Sequence, residues 1–170
     1  MPNYRRYYLR GHPVFVTVVA RQRRNVFATS ENKELVLNAM RLVRLKWPFR
    51  HLAHCLLPDH LHWLFVPVEH AHFSKIVAAT KRQVTWAMKR TGIEAAGLWQ
   101  PRFYDHVIRN RRDLEVHLDY IHYNPVKHGY AEAPRDYRWS SFAEWVKRGN
   151  YAANWGDNCC PTHIASLNWE

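Results

Sequence analysis

Four residues in this 170-residue chain have types and spacings that can do chemistry: His60 and His62, one residue apart, then Tyr120 and Asn124, four apart. The histidines lie in "LPDHLHWLF", a greasy run where valine or isoleucine would pack better. Read as a strand, the run sends successive side chains to opposite faces, so His60, His62, Leu64 and Val66 share one face and Leu61, Trp63 and Phe65 the other. Two imidazoles on one face stand about 6.6 Å apart at their Cα atoms, which lets both ring nitrogens converge on one ion. The same spacing also suits two histidines at a wet strand end. His70 and His72 repeat it, but at the edge of a helix, where residues two apart point away from each other; that pair is expected to be exposed.

Tyr120 and Asn124 fall in "NRRDLEVHLDYIHYNPVKHG". At helical pitch Leu114, Leu118 and Ile121 form the core-facing stripe, and Tyr120 and Asn124 share one flank beside it. Tyr123 is expected to face solvent, which leaves Tyr120 better placed for a cleft. Asn124 offers a carbonyl oxygen, a ligand that suits a hard divalent ion. Taken alone, a tyrosine and an asparagine on a helix flank are ordinary surface residues.

The elements that must position these groups follow from pattern. Val14 to Ala20 reads as a buried strand, and Ser30 is expected to cap a helix running to Trp47. Strands near Arg50 to Leu56 and His60 to Val66 are joined by a turn at Leu57, Pro58 and Asp59, giving a hairpin. A second helix is expected over Phe73 to Arg90, a short strand over Tyr104 to Arg109, and a third helix capped by Asn110 and stopped at Asn124 by Pro125. The order β-α-β-β-α-β-α predicts an α+β fold, an antiparallel sheet with helices packed on it. Residues 1–133 are expected to form the domain, and 134–170 an aromatic-rich extension that docks on it.

Hydrophobic residues make up 47% of the chain, enough for a real core, yet no apolar run reaches the length of a membrane span. The start lacks the features of a secretory signal, which points to the cytoplasm and to no membrane role. Cys55, Cys159 and Cys160 do not suit a disulfide framework, and no Cys-x-x-Cys spacing favours zinc. Lys and Arg number 25 against 14 Asp and Glu, a formal charge of +11 that favours a polyanion as partner. Basic and aromatic residues interleave at Arg5, Arg6, Tyr7 and Arg10 and again at Lys81, Arg82, Trp86, Lys89 and Arg90. Arginine can hold phosphate while a ring stacks on an unpaired base, the pairing that single-stranded nucleic acid presents.

The combination "PDHLHWLF", "LWQPRFYDHVIRN", "LDYIHYNPVKHGY" and "YRWSSF" resembles the REP-associated tyrosine transposases of the HUH superfamily, from about Tyr7 to Phe142. The resemblance implies a ferredoxin-like sheet with the histidine pair on a central strand. It implies Tyr120 as nucleophile, and His60, His62 and Asn124 as ligands of Mg2+, with Mn2+ able to substitute. The implied activity is cleavage and rejoining of single-stranded or hairpin DNA through a 5′-phosphotyrosine, by a monomer more readily than by an exchanged dimer. A hairpin-binding protein without catalysis and a zinc-dependent hydrolase are the competing classes. Lys81, Arg82, Lys89 and Arg90, with Arg109, Arg111 and Arg112, are expected to hold stem phosphates, and Arg5, Arg6, Tyr7 and Arg10 to read unpaired bases. Replacing Arg5, Arg6 and Arg10 by alanine is expected to weaken hairpin binding and flatten its salt dependence; an affinity unchanged across a salt titration would remove this segment from the interface.

Overall fold

The computed structural model describes residues 8–9, 11–68, 71–157 and 159–169. Arg5, Arg6, Tyr7 and Arg10 lie outside them, as does His70. Four strands, β1 (Val14–Val19), β2 (Phe49–Leu56), β3 (His60–Pro67) and β4 (Tyr104–Val107), pair antiparallel in the order β2-β3-β1-β4. Three long helices are α1 (Ser30–Lys46), α2 (Phe73–Arg90) and α3 (Arg111–Lys127), and a short α4 spans Phe142–Lys147. The α+β order expected from pattern is the order observed.

Strand alternation divides the core in two. Val14, Val16 and Val18 of β1 and Leu61, Trp63 and Phe65 of β3 pack with Val36, Ala39, Met40, Ile76, Val77 and Val84, so α1 and α2 cover one face. Phe15 and Leu64 pack with Leu118, Tyr120 and Ile121, so α3 covers the other. His60 and His62 belong to this second face, on a strand paired along both edges: His62 lies opposite Thr17 on one side and Cys55 on the other. A polar pair there is buried by construction, with exposures of 1% and 0%.

Local chemistry shifts some boundaries. Thr29, not Ser30, caps α1: its side chain accepts from the Asn32 amide while Ser30 already lies in the helix. The strand expected to reach Arg109 ends at Val107. Pro125 does not stop α3, which continues to Lys127. Proline removes only its own N–H donor, and so close to the end the chain still closes the helix, with the His128 amide on the Asn124 carbonyl and the Tyr130 amide on that of Pro125. Tyr123 does not face open solvent, because Trp155 packs edge-on to it. Gly156 makes that approach possible: its φ is +77°, and a Cβ there would come within 3.0 Å of Pro134 and 3.2 Å of the Tyr123 ring.

Residues after α3 also protect the exposed edge of β2. The Leu56 amide donates to the Trp139 carbonyl, the Ser141 amide to the His54 carbonyl, and the Trp145 indole to the Leu52 carbonyl. Along this seam His51 and His54 meet nitrogen to nitrogen at 3.0 Å, and His122 reaches Ser141 Oγ at 2.9 Å. Among the described residues no helix is long and apolar enough to cross a membrane.

Burial, before the charges of Arg44 and Arg148, lowers the His51 pKa to about 4; burial, before nearby charge, takes His54 and His122 to about 3. Unfolding returns these rings to their usual 6.5, so below that pH the unfolded chain binds protons that the folded chain does not. Stability is therefore full above 6.5 and lost as pH falls towards 4 and 3. The thermal midpoint is expected to drop already between pH 6.5 and about 4.5, above the main carboxylate range; a flat midpoint over that interval would contradict the burial of neutral imidazoles.

Candidate active site

The site is assembled at the middle of the sheet, where β3 faces α3. His60 Nδ1 lies 2.5 Å from Asp59 Oδ1, and Asp59 also receives Arg23 at 3.0 Å. A carboxylate only accepts, so His60 carries its proton on Nδ1. His62 Nδ1 lies 2.9 Å from Thr17 Oγ1, which spends its one proton on the Trp169 carbonyl at 2.6 Å. Thr17 must therefore accept, and His62 also carries its proton on Nδ1. Both Nε2 atoms are left as lone pairs, and they face each other at 3.1 Å.

Two facing lone pairs repel unless a proton or a metal cation lies between them. Two nitrogens bound side by side to an octahedral ion at about 2.1 Å stand about 3 Å apart, so the spacing fits a shared ion. The protons on Nδ1 are what metal-binding histidines require from their supporting partners. Burial, then the charges of His60, His128 and Lys127, holds the His62 pKa well below its usual value, with Asn124 opposing, so the ring is held neutral. Asn124 is 1% exposed; its side chain lies beside the His62 ring, and neither its amide oxygen nor its nitrogen makes a well-formed hydrogen bond. An orphaned buried amide next to two converging imidazoles is a donor set suited to a divalent cation.

Tyr120 shares the cleft. Its ring centroid is 5.2 Å from that of His62, nearly edge-on, and Lys127 Nζ stands 5.0 Å from the Tyr120 ring. The phenol oxygen accepts from the Trp169 amide at 3.2 Å. Residues 167–169 thus lie across the site: Trp169 touches both Tyr120 and Thr17, and the Leu167 carbonyl accepts from Lys127 at 2.8 Å.

A second group stands beyond Phe15. His106, Asp113 and His117 bring ligand-type atoms within 4.8 Å of one another, a cluster that could hold a metal. Asp113 already accepts from His106 at 2.9 Å and from the Arg109 amide and side chain; burial is the largest single influence and raises its pKa, but these contacts together outweigh it and draw the pKa down to about 2.

The basic residues fall in two places. Lys81, Arg82, Lys89 and Arg90 lie on α2, across the sheet from Tyr120. Lys81 donates to the Gln100 carbonyl at 2.7 Å, and Arg90 covers the exposed Trp86 ring at 4.7 Å. Arg109, Arg111 and Arg112 stand at the start of α3, the first two paired with Asp113 and Glu115. Pattern reading missed Asp59, Thr17, Lys127 and Trp169. Thr17 had a signal, as the one polar residue in "VFVTVV"; Asp59 was taken for a turn residue only.

The chain matches the family described as IS200-like transposases over residues 6–124. A REP-associated tyrosine transposase of Escherichia coli K12 is 38% identical over 156 residues, covering 91% of each chain. A Haemophilus influenzae protein of the same description is 38% identical over 168 residues, covering 93% of this chain and 95% of the relative. The solved structure of a REP-associated tyrosine transposase bound to a REP hairpin superposes with a TM-score of 0.82 at 37% identity, over 96% of both chains. With its histidine pair, tyrosine and sheet in this arrangement, the chain belongs to the IS200-like transposases, in the REP-associated tyrosine group.

Proposed function

We propose that this transposase binds hairpin DNA carrying a single-stranded flank and cuts and rejoins that strand through Tyr120. The observation that carries the reading is the convergence of the His60 and His62 lone pairs, the orphaned Asn124 amide and the Tyr120 phenol in one cleft. The hairpin comes from the solved relative, whose partner is a REP hairpin.

In the proposed reaction the Tyr120 oxygen attacks the scissile phosphorus. The new O–P bond makes a 5′-phosphotyrosine, the P–O3′ bond breaks, the phenol proton is lost and the departing O3′ gains one. A divalent cation held by His60, His62 and Asn124 would stabilise negative charge on a non-bridging phosphate oxygen. Lys127, beside the phenol ring, favours the phenolate as it forms. Asp59 and Thr17 keep the imidazole protons away from the cleft. Rejoining is the reverse attack by a 3′-hydroxyl, which needs no outside energy because the phosphotyrosine retains the ester. The nucleophile and the histidines come from one chain, which supports a monomer acting in cis. Residues 1–133 carry the chemistry in this reading, and 134–170 regulate access to it.

With labelled hairpin DNA and Mn2+, the full chain is expected to form a detergent-resistant adduct at Tyr120. Tyr120→Phe should abolish the adduct while keeping hairpin binding, and His62→Ala should slow it on the order of 100-fold. An adduct that survives Tyr120→Phe, or that maps to Tyr123, would overturn the assignment.

Because all three ligands are neutral, Mg2+, the proposed cellular ion, should bind weakly to the bare protein and more tightly once a phosphate joins the site. Mn2+ should bind better than Mg2+, since imidazole suits it. Tight stoichiometric Mg2+ binding without DNA, measured by calorimetry, would contradict this ligand set.

A further inference from the structure

The indole of Trp169 lies parallel to the His117 ring, with centroids 4.1 Å apart and an 11° tilt. His117 in turn lies on His106 at 4.6 Å and 15°. The indole also meets Tyr120 at 4.7 Å and Phe15 at 5.6 Å, and Phe15 stands 5.0 Å from His117 as well, so it flanks both rings. It is therefore a flat bicyclic ring held in an aromatic slot, while its own main chain touches the nucleophile oxygen on one side and Thr17 on the other.

The floor of the slot is fixed by hydrogen bonds. His117 Nδ1 donates to the Asp113 carbonyl at 2.7 Å, and His106 Nε2 donates to the Asp113 carboxylate at 2.9 Å. Both rings are pinned by their edges, leaving a face of His117 for stacking. His117, Tyr120 and Asn124 follow at i, i+3 and i+7, one surface of α3, so the platform stands one turn from the nucleophile. His117 Nε2, an acceptor once Nδ1 carries the proton, is buried without a donor.

An indole is close in size and shape to a purine, and stacking on a flat ring tolerates any base. We propose that His117, backed by His106, is the stacking platform for the base adjoining the scissile phosphate, and that Trp169 holds that base's place when the chain end is docked. The inference rests on the reaction proposed for Tyr120 and adds a positioning residue to it. It also accounts for a stacked pair of histidines that neither the nucleophile nor the His60 and His62 pair uses.

The test reads binding and cutting separately. In the full chain carrying Tyr120→Phe and Trp169→Ala, 2-aminopurine is moved through each position of the single-stranded flank of a hairpin oligonucleotide. One position is expected to be quenched on binding, to lose its quenching with His117→Ala and to regain it with His117→Phe. Affinity should fall about ten-fold with His117→Ala, the worth of one base-on-ring stack, and should not fall when that position is abasic. The adduct formed by the Tyr120-containing protein then fixes the cut, which must adjoin the responsive position. The inference is overturned if no position responds to His117, if His117→Ala weakens intact and abasic DNA alike, or if the responsive base lies away from the cut. Quenching at one base with no adduct at Tyr120 would instead overturn the catalytic reading and keep the platform as a binding site.

Discussion

Two imidazole nitrogens facing each other as lone pairs at 3.1 Å make a contact that the protein alone does not satisfy, and the site is organised around it. Asp59 and Thr17 accept hydrogen bonds from the two Nδ1–H groups and so aim the Nε2 lone pairs at each other, on a strand paired along both edges. The proposed cation would relieve their repulsion, and Asn124 stands beside His62 with an amide that makes no well-formed hydrogen bond. Such groups normally find partners in a folded core, so their joint orphanhood points to a ligand rather than to loose packing.

The sheet separates two tasks. On one face α1 and α2 bury the larger apolar cluster, and α2 turns Arg82, Lys89 and Arg90 outward, with Lys81 half-buried against Gln100 and no acidic residue along its length. On the other face α3 brings Tyr120 and Asn124 against the histidines. The chain after α3 covers the edge of β2, runs past Tyr123 and brings Trp169 against Tyr120. Tyr120 is consequently 2% exposed, and in the proposed reaction the strand would reach it by exchanging the Trp169 contacts for its own.

Much of this arrangement was legible in the sequence because it rests on short-range periodicity. The alternation in "HLHWLF" determines which face carries the histidines, and the four-residue spacing of Tyr120 and Asn124 puts them on one helix flank; both hold in the structure. What escaped depends on contacts distant in sequence. Nothing local to Thr17 or Trp169 says that they meet across 152 positions, and Tyr123 is covered only because Gly156 lets the extension approach. Pro125 misled for a local reason: a proline near a helix end looks like a stop, yet within the last turn its missing donor costs little. Asp59 escaped because one side chain serves both a turn and the His60 ring, and pattern reveals only the turn.

The protonation of His60 and His62 is the most direct test of this account, and two-bond nitrogen–proton correlation spectra of the imidazoles read it. Both rings are expected as neutral Nδ1–H tautomers at neutral pH in the presence of hairpin DNA and Mg2+, with both Nε2 resonances displaced when the cation is added. An Nε2–H tautomer at either residue, or Nε2 resonances indifferent to the cation, would contradict the shared ion and with it the catalytic centre.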